Sequence, residues 1–389
     1  MKVLRVKMED LSNEEINYRS SHLQFIPKFM LSKKDYLPQK LWKSIVRLLY
    51  KNPNHPVTIS DIFSKPLPIN VGAEINNVCN AKCSFCGYDK QVNDITADPR
   101  KKTKLNRNVF SHTLQLYNDA GGGNFFLSPI LGEISSDPKW LDLIKEARLY
   151  PNISGVSCFS NAILFDRFGS ENILKSGLTN LAISTSLGSS EQYKRLYGVD
   201  KYDKVLNNIL DILETNVKLG NPVSIHLMLR QDKPYDPFLN SSLYKKLVKL
   251  IGKNKISILD DEWDDYNGLI SENNLPKGHK LLINETSKEI PCYALFRKLV
   301  VLMDGTIQGC ACRVEPDLWT DNILNHKDLS SAWKNSKLEK IRNDWSEKKL
   351  IPNSCKTCTH YIPATNLISN STPKYIYKKI KSKLKNIYT

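Results

Sequence analysis

The sequence contains no stretch of about 18 consecutive apolar residues, the length that a membrane-spanning helix requires. The N-terminal segment, Met1–Asp10, carries a charged residue every few positions, so it does not resemble a secretory signal peptide. These two absences predict a cytoplasmic protein.

Acidic residues are scarce relative to basic ones. The chain has 40 Asp and Glu residues against 56 Lys and Arg residues, which gives a net charge of +16 at pH 7. Such a charge suits a nucleic acid, an anionic membrane or a phosphorylated substrate. The alternative is that lysines are spread over solvated faces. Outside the C-terminal tail the lysines are scattered, so we expect no nucleic-acid partner.

Nine of the 389 residues are cysteines. Cytosolic thiols are kept reduced, so cysteines in a cytosolic chain indicate metal binding or redox chemistry rather than disulfides. The hydrophobic content of 41% and the charged content of 25% are ordinary for a globular protein. The length suits two domains, or one large barrel with an appendage.

Three of the cysteines, Cys79, Cys83 and Cys86, lie on one short loop directly after a strand-like stretch. Each gap between them spans roughly 10–14 Å when extended, so the three thiolates can reach three corners of one iron–sulfur cube. No fourth cysteine follows nearby, which leaves the fourth iron open to a ligand. The alternative is a zinc site, which normally requires four closed ligands.

This loop resembles the signature of the radical S-adenosylmethionine (SAM) enzymes, Cys-x3-Cys-x-aromatic-Cys, with Phe85 as the aromatic residue. The resemblance implies a [4Fe–4S] cluster whose open iron binds the amino and carboxylate groups of SAM. It also implies that the reduced cluster splits SAM into methionine and a 5′-deoxyadenosyl radical. Phe85 and Tyr88 are then expected beside the cofactor. A one-electron donor such as flavodoxin or ferredoxin is the expected partner.

Apolar and polar residues alternate from Ile69 to Asn76, which predicts a strand with one apolar face. Five further strands are predicted at 125–128, 153–159, 178–184, 223–229 and 256–259. Helices are predicted at 108–120, from an N-cap at Asp137 to Leu149, before Gly177, at 202–219 and before Gly252. Alternating strands and helices indicate an α/β protein with parallel pairing. The resemblance implies a partial (β/α)6 TIM-like barrel, whose site lies at the carboxyl ends of the strands.

Residues after the predicted strands resemble the family in part. Leu131-Gly132-Glu133 resembles its Gly-Gly-Glu segment, whose backbone contacts the amino group of SAM, although leucine replaces the first glycine. The resemblance also implies that polar residues after the third and fourth strands hold the carboxylate and ribose of SAM. These residues are Ser160, Asn161, Ser184 and Ser186. The alternative is that they are ordinary turn residues at strand ends.

The fifth predicted strand has a polar face, which is expected to line the barrel lumen. His226 and Arg230 lie on this face. A buried arginine requires a partner, and the SAM carboxylate would serve as one. A lone histidine such as His226 is more often a satisfied interior residue. Asp260, Asp261 and Trp263 follow the sixth strand and are candidates for substrate contact, or loop residues without a role.

A second set of cysteines follows the predicted barrel with the spacing Cys-x17-Cys-x44-Cys-x2-Cys. The set consists of Cys292, Cys310, Cys355 and Cys358. Residues 299–307 between them predict two strands around an Asp-Gly turn, and Trp333–Trp345 predicts a helix. Four thiolates would fully close a second [4Fe–4S] cluster. A structural zinc is the alternative, and Cys312 is a spare thiol or a competing ligand.

This C-terminal part resembles the twitch domain, a shortened relative of the SPASM domain that follows radical SAM barrels. The cysteine spacing is similar to that of the twitch-bearing 2-deoxy-scyllo-inosamine dehydrogenases. The expected fold is therefore a partial barrel followed by a small iron–sulfur domain built from a β-hairpin and helices. The expected segments are an N-terminal helical extension at 1–66, the barrel at 67–275, the auxiliary cluster domain at 276–365 and a basic tail at 366–389.

The two terminal segments carry no catalytic motif. Residues Gln39–Tyr50 predict a helix with one apolar face. The tail from Lys374 to Thr389 has six lysines and no acidic residue, with apolar residues at roughly helical spacing. This pattern is typical of a basic amphipathic helix that binds an anionic membrane surface peripherally. A frayed, solvated terminus is the alternative.

An auxiliary cluster favours an oxidation, because a substrate radical that has lost a proton is strongly reducing and can pass its electron to a closed cluster. We predict dehydrogenation of a carbinol in a sugar, an aminocyclitol or a surface-polysaccharide precursor. One alternative is a peptide maturase that forms crosslinks in a ribosomal peptide. The non-enzyme alternative is a zinc-bearing nucleic-acid-binding protein. The sequence assigns no catalytic base.

Overall fold

The structure, a computed structural model, describes residues 67–88, 103–252, 254–259, 263–282, 288–310 and 313–364. The predicted N-terminal helix and basic tail lie outside the described residues, as do Asp260, Asp261 and Cys312. Among the described residues, no helix combines the length and the apolar character that crossing a bilayer requires.

Six parallel strands form the larger part of one sheet, and helices follow most of them, which confirms the predicted α/β class. The strands are β1 (Asn70–Ala73), β2 (Asn124–Leu127), β3 (Gly155–Ser160), β4 (Asn180–Thr185), β5 (Ser224–Leu229) and β6 (Lys255–Ile258). The helices among them are α1 (Arg107–Asp119), α2 (Trp140–Ala147), α3 (Ser170–Leu174), α4 (Ser190–Tyr197), α5 (Tyr202–Lys218), α6 (Asp236–Leu239) and α7 (Ser242–Ile251). The six strands pair in sequence order from β1 to β6, as expected for consecutive right-handed crossovers.

The predicted hairpin does not stand apart from the barrel. It consists of β7 (Lys298–Val301) and β8 (Thr306–Gln308), and β9 (Trp319–Asn322) pairs with β8. β7 pairs in parallel with β1, so the sheet has nine strands in the order β6-β5-β4-β3-β2-β1-β7-β8-β9. Residues 65–362 accordingly form one compact unit.

Helices complete the C-terminal part of this unit. They are α8 (Leu329–Trp333), α9 (Ser336–Ser346) and α10 (Asn353–Lys356). Trp345 on α9 is fully buried, and its indole N–H donates a hydrogen bond of 2.6 Å to the Lys288 carbonyl. The predicted helix at Trp333–Trp345 is therefore split by a break at Lys334–Asn335, where the Asn335 side chain caps α9 by accepting a hydrogen bond from the Leu338 N–H.

The two faces of β5 differ as the alternation predicts. Ile225, Leu227 and Leu229 are fully buried on the side that faces the helices, whereas His226 and Met228 are half-buried on the lumen side. Parallel strands covered by helices bury their outer side chains in this way.

One predicted helix start is wrong by two residues. The prediction was an N-cap at Asp137, but α2 begins at Trp140 with Lys139 at the N-cap position. Residues Ile134–Ser136 form a turn of 3₁₀ helix first, and the Asp137 carboxylate accepts a hydrogen bond of 2.9 Å from the Lys139 N–H. Asp137 therefore stabilises the turn before the helix rather than the helix itself.

Candidate functional site

The first cysteine set lies on the loop that leaves the carboxyl end of β1, where the partial barrel is expected to place its site. Burial raises the pKa of the Cys79 thiol to about 12 and also raises the pKa values of Cys83 and Cys86. Neighbouring thiols raise the Cys79 and Cys83 values further, while the charge of Arg230 lowers those of Cys83 and Cys86. The three sulfurs thus share one buried environment, and a bound cation would be required to keep them as thiolates.

Helix α4, which the sequence analysis did not predict, supports this loop from one side. The N–H groups of Lys82 and Ser84 donate hydrogen bonds of 3.0 and 2.8 Å to the carbonyls of Tyr197 and Leu196. Gly198 ends α4 at φ +66°, and a Cβ at this position would lie 2.5 Å from the Lys82 carbonyl oxygen. Only glycine permits this close approach of two backbones.

Tyr88 closes the loop from its other end. Its hydroxyl accepts a hydrogen bond of 2.9 Å from the Cys79 N–H, and its own N–H lies 3.4 Å from the Cys86 sulfur. Tyr88 also packs in an apolar cluster with Leu131 and Val314, against which Cys79 and Cys86 pack. The structure therefore gives Tyr88 a direct role in shaping the cysteine loop.

Aromatic side chains surround Arg230, the cation that faces the cysteine loop. The Phe85 ring lies edge-on to Tyr197 at 5.5 Å and to Trp263 at 5.3 Å between ring centroids. The Arg230 guanidinium lies 5.1 Å from the Phe85 centroid and donates a short hydrogen bond to the Ser184 hydroxyl. Its Nε is buried and has no hydrogen-bond partner among the described residues. An anion bound here would satisfy that nitrogen.

Glu133 connects the segments that follow β2 and β3. Its buried carboxylate accepts hydrogen bonds from the Ser160 hydroxyl at 2.5 Å and the Asn161 N–H at 2.7 Å. It accepts two more from the hydroxyl and N–H of Ser135. Burial raises the pKa of Glu133, although these hydrogen bonds oppose the rise. The acceptor capacity of this carboxylate is therefore already used by the protein.

The backbone around Glu133 is held against the start of the cysteine loop. Glu133 N–H donates a hydrogen bond of 2.9 Å to the Val78 carbonyl, and Asn76 Nδ2 donates one of 3.1 Å to the Glu133 carbonyl. Gly132 has φ +143°, and a Cβ there would lie 3.0 Å from the Val78 oxygen. Asn161 also contacts the loop, because its Nδ2 donates to Asn80 Oδ1 at 2.7 Å.

Two other predicted residues have local partners. The Ser186 hydroxyl is buried and accepts a hydrogen bond of 2.6 Å from Gln192 on α4. His226 is on β5, four residues before Arg230, which directly follows the strand. It therefore lies about 13 Å from Arg230 along the strand direction, away from the cysteine loop. It hydrogen-bonds Ser257 at 2.7 Å, and burial together with the Lys255 charge lowers the pKa of His226 to about 4.

Trp263 is buried beneath the loop, and its indole N–H donates a hydrogen bond of 2.9 Å to His279 Nδ1. The contacts that the structure gives Trp263 are therefore with Phe85, Arg230 and His279.

The second cysteine set shares one cavity. Cys292, Cys310, Cys355 and Cys358 all line it, together with Arg313, Glu315 and His360. Within the described ranges, no three potential ligand side chains converge closely enough to hold a single metal ion. Four thiolates are the ligand set that a closed [4Fe–4S] cluster requires.

Charged side chains border this cavity. Burial raises the pKa of the Cys292 thiol to about 11 and the pKa of the Glu315 carboxyl to about 7. Lys288, which the sequence analysis missed, donates hydrogen bonds of 2.9 Å to the carbonyls of Cys355 and Cys358. A lysine distant in sequence thus fixes the final cysteine pair, and no local pattern marks it.

A short segment after β6 contacts both cysteine sites. Asp264 accepts hydrogen bonds from Arg313 Nε at 2.8 Å and from the Thr359 hydroxyl at 2.6 Å. The Tyr266 ring packs so closely on Gly87 that a Cβ there would lie 2.6 Å from it. The Arg313 guanidinium lies 5.7 Å from the centroid of the Tyr266 ring, and Arg313 also lines the second cavity.

Comparisons with known proteins agree with this arrangement. Residues 292–359 match the SPASM family, described as an iron–sulfur cluster-binding domain. A GTP 3′,8-cyclase from Clostridium perfringens (strain SM101 / Type A) is 25% identical over 189 residues, which cover 47% of this chain and 52% of that protein. The chain thus spans about half the length of this curated relative.

Solved structures are similar to this chain at low sequence identity. Streptococcus suis SuiB bound to the precursor peptide SuiA is 16% identical with a TM-score of 0.51, covering 81% of this chain and 76% of SuiB. BtrN in complex with AdoMet and 2-DOIA is 13% identical with a TM-score of 0.45, covering 74% of this chain and 91% of BtrN.

The family match therefore applies to the C-terminal part of the chain, residues 292–359. The second cysteine set falls inside the SPASM match, as the spacing predicted.

Proposed function

We propose that the protein is a radical SAM enzyme in which Cys79, Cys83 and Cys86 hold a [4Fe–4S] cluster. The observation that supports this most directly is that three half-buried cysteines, and no fourth described cysteine, share the loop at the carboxyl end of β1. When bound, the cluster and SAM supply reductive cleavage of SAM to a 5′-deoxyadenosyl radical.

The chain's own residues fit an anionic, amino-acid-like ligand beside this loop. Arg230 presents a buried Nε that has no partner among the described residues, so it would bind the SAM carboxylate. Phe85 and Trp263 flank the guanidinium and exclude water from it. Low dielectric strengthens such a charge-assisted hydrogen bond.

We further propose that Cys292, Cys310, Cys355 and Cys358 hold an auxiliary [4Fe–4S] cluster that accepts an electron from the substrate. The proposed reaction is a two-electron dehydrogenation of a carbinol in a carbohydrate or related small molecule. The support is the placement of all four thiols around one cavity in the same compact unit as the barrel. Flavodoxin or ferredoxin is the proposed source of the first electron.

Peptide modification is the second candidate. Its support is the SuiB structure, which holds a precursor peptide and shares the fold with this chain. Forming a crosslink between two residues of a peptide also removes two hydrogen atoms, so this reaction too would require an electron acceptor.

The test is anaerobic reconstitution with iron and sulfide, followed by SAM and dithionite. We expect 5′-deoxyadenosine and methionine from the wild type, and none from Cys83→Ala. Cys158→Ala is the matched control, because Cys158 is buried on β3 and belongs to neither cysteine set. An iron-replete wild type that leaves SAM intact would contradict the proposal. Both reactions give a product two hydrogen atoms lighter, so the product structure must distinguish them. A new carbonyl that reacts with a hydrazine indicates dehydrogenation, whereas a covalent link between two residues in tandem mass spectra indicates peptide crosslinking.

A further inference from the structure

Lys288 binds the turn that carries the last two cysteines of the second set. Its Nζ donates hydrogen bonds of 2.9, 2.7 and 2.9 Å to the carbonyls of Cys355, Lys356 and Cys358. The first two of these carbonyls end α10, and the last carbonyls of a helix have no partner within the helix. A lysine side chain stabilises a helix end when it binds such carbonyls. We call this set of three hydrogen bonds the lysine clamp.

The lysine clamp fixes the charge of Lys288. A neutral amine has two N–H donors and an ammonium group has three, so three carbonyl acceptors require the ammonium form. The three donors are thus matched by carbonyls rather than by a carboxylate. Arg313, a cation that lines the second cavity, differs because its guanidinium is paired with the buried Asp264 carboxylate. Lys288 therefore brings a net positive charge to the cysteine turn.

The ammonium group of Lys288 lies close to the sulfurs of the same turn. A cysteine carbonyl carbon is three bonds from its own sulfur, so a nitrogen bound to that carbonyl lies within roughly 8 Å of the sulfur. This bound holds for Cys355 and Cys358 at once, and both line the second cavity. At an effective dielectric constant of about 20, one charge at about 8 Å changes a one-electron equilibrium on the order of thirtyfold. Lys288 is half-buried, so water on its exposed side reduces this effect.

Buried aromatic residues hold Lys288 in this position. The Trp345 indole N–H donates a hydrogen bond of 2.6 Å to the Lys288 carbonyl, and the centroid of the Tyr361 ring lies 5.7 Å from Lys288 Nζ. The Trp345 and Tyr361 rings stack with their centroids 6.0 Å apart, and both residues line the second cavity. The Tyr361 hydroxyl donates a further hydrogen bond of 2.7 Å to the Ile290 carbonyl. The backbone that carries Lys288 is therefore fixed against the wall of the cavity.

We propose that Lys288 is a positioning residue for the auxiliary cluster and that its ammonium group raises the reduction potential of that cluster. One-electron reduction makes a cluster more negative, and a nearby cation stabilises the more negative state. A higher potential makes the second cysteine set a better site for accepting an electron from a substrate radical. The lysine clamp also holds Cys355 and Cys358 at a fixed separation. This inference rests on the proposed function and states how its acceptor site is tuned.

The test is a redox titration with dithionite, monitored by EPR, of the full chain after anaerobic reconstitution with iron and sulfide. It is made in the Cys83→Ala background, where the auxiliary cluster is the only one expected. Lys288→Met keeps most of the length of the side chain and removes its charge. We expect reduction of the cluster to become about tenfold less favourable, which is a shift of about 59 mV to lower potential. Lys288→Gln, which is neutral and keeps two N–H donors, should shift the potential in the same direction.

Two further variants separate charge from structure. Lys288→Arg keeps the charge, so its potential should stay near that of the background protein. The matched control is Lys356→Met, because Lys356 belongs to the same turn but is exposed and donates a hydrogen bond of 2.9 Å to Asn353. It removes an equal charge that water screens, so we expect a change of less than about twofold in the reduction equilibrium.

An unchanged potential in both neutral variants of Lys288 would overturn the inference. An equal shift in Lys356→Met, or a shift in Lys288→Arg as large as that in Lys288→Met, would overturn it as well. Bound iron is measured on the same samples. About four iron atoms per chain with an unchanged potential would refute the role of Lys288 and leave the proposed auxiliary cluster standing. A background protein that binds no iron would refute the auxiliary cluster together with the inference.

Discussion

Removal of the Asp264 carboxylate is expected to be among the most destabilising single changes in the described part of the chain. Asp264 and Arg313 form a buried ion pair in which the two side chains are 6% and 3% exposed. Thr359, next to Cys358, donates a further hydrogen bond of 2.6 Å to Asp264. The pair thus joins the segment after β6 to the chain around the second cysteine set.

Asp264→Ala would leave the buried Arg313 guanidinium without its hydrogen-bonded carboxylate, and only the more distant carboxylates of Asp265 at 3.6 Å and Glu315 at 4.0 Å would remain in the described part of the chain. Arg313 Nη1 already has no hydrogen-bond partner among the described residues. In the variant, most of the N–H donors of this guanidinium would therefore lack a hydrogen-bond acceptor. Breaking a buried pair by removing one member costs about 3–5 kcal/mol. Glu171→Ala is the matched control, since Glu171 pairs with Lys175 on an exposed face. An exposed, solvent-screened pair of this kind contributes little to stability.

The assay is urea unfolding, monitored by tryptophan fluorescence, with the wild type and the variants compared in the same cluster-loaded state. The double variant Asp264→Leu with Arg313→Met should recover most of the loss, because a well-packed apolar pair of similar volume can replace a buried ion pair. A loss below about 1 kcal/mol for Asp264→Ala, or no recovery in the double variant, would refute the reasoning.

The same pair predicts a dependence on pH. Burial alone would raise the pKa of Asp264, but the hydrogen bond and charge of Arg313 hold it below its ordinary value. A carboxyl whose pKa is lower in the folded state stabilises the fold above the unfolded value, about 3.9. This stabilisation is lost as pH falls through the folded pKa. Asp264→Asn should therefore flatten the acid limb of the stability curve.

Three further changes test how the first cysteine loop is built. Cys83→Ser should lower bound iron from about eight to about four atoms per chain, measured by metal analysis, since the auxiliary site keeps its ligands; unchanged iron would contradict the ligand assignment. Tyr88→Phe should cost about 1 kcal/mol in unfolding experiments, because the Cys79 N–H loses its 2.9 Å partner; no loss would show that water replaces the hydroxyl. Gly198→Ala should cost about 1 kcal/mol or more, because φ is +66° and the new Cβ would lie 2.5 Å from the Lys82 oxygen; a variant as stable as wild type would show that the loop relaxes.

Alternation and glycine stops were sufficient to predict the six barrel strands to within a few residues. β5 is an example, because Ile225, Leu227 and Leu229 alternate with polar residues and the strand is buried on one face only. Helix α4 was missed because Ser190–Tyr197 is mostly polar and buries only Tyr193, Leu196 and Tyr197. β9, Trp319–Asn322, was missed for a similar reason, since a short polar strand lacks a periodic signal.

The cysteine sets were predictable because their signal is a local spacing in the sequence. The residues that hold the cysteines in place are distant in sequence, so they were not predictable. Lys288 reaches the carbonyls of Cys355 and Cys358, and its sequence separation from them is about 70 residues. The parallel pairing of β7 with β1 is also a long-range contact. Sequence patterns report faces and turns, but they do not state which distant segments meet.

The segment after β6 gives a physical reason why the two cysteine sites can act together. Trp263 packs against Phe85 of the first loop, and three residues later Tyr266 packs against Gly87. Asp264, between them, binds Arg313, which lines the second cavity, and Thr359, which follows Cys358. Tyr266 has φ +50°, which costs energy for a bulky residue and persists only where packing requires it. Electron transfer between a substrate and a second cluster requires a fixed separation. A strained, buried segment in contact with both sites is the element that would maintain this separation through repeated turnover.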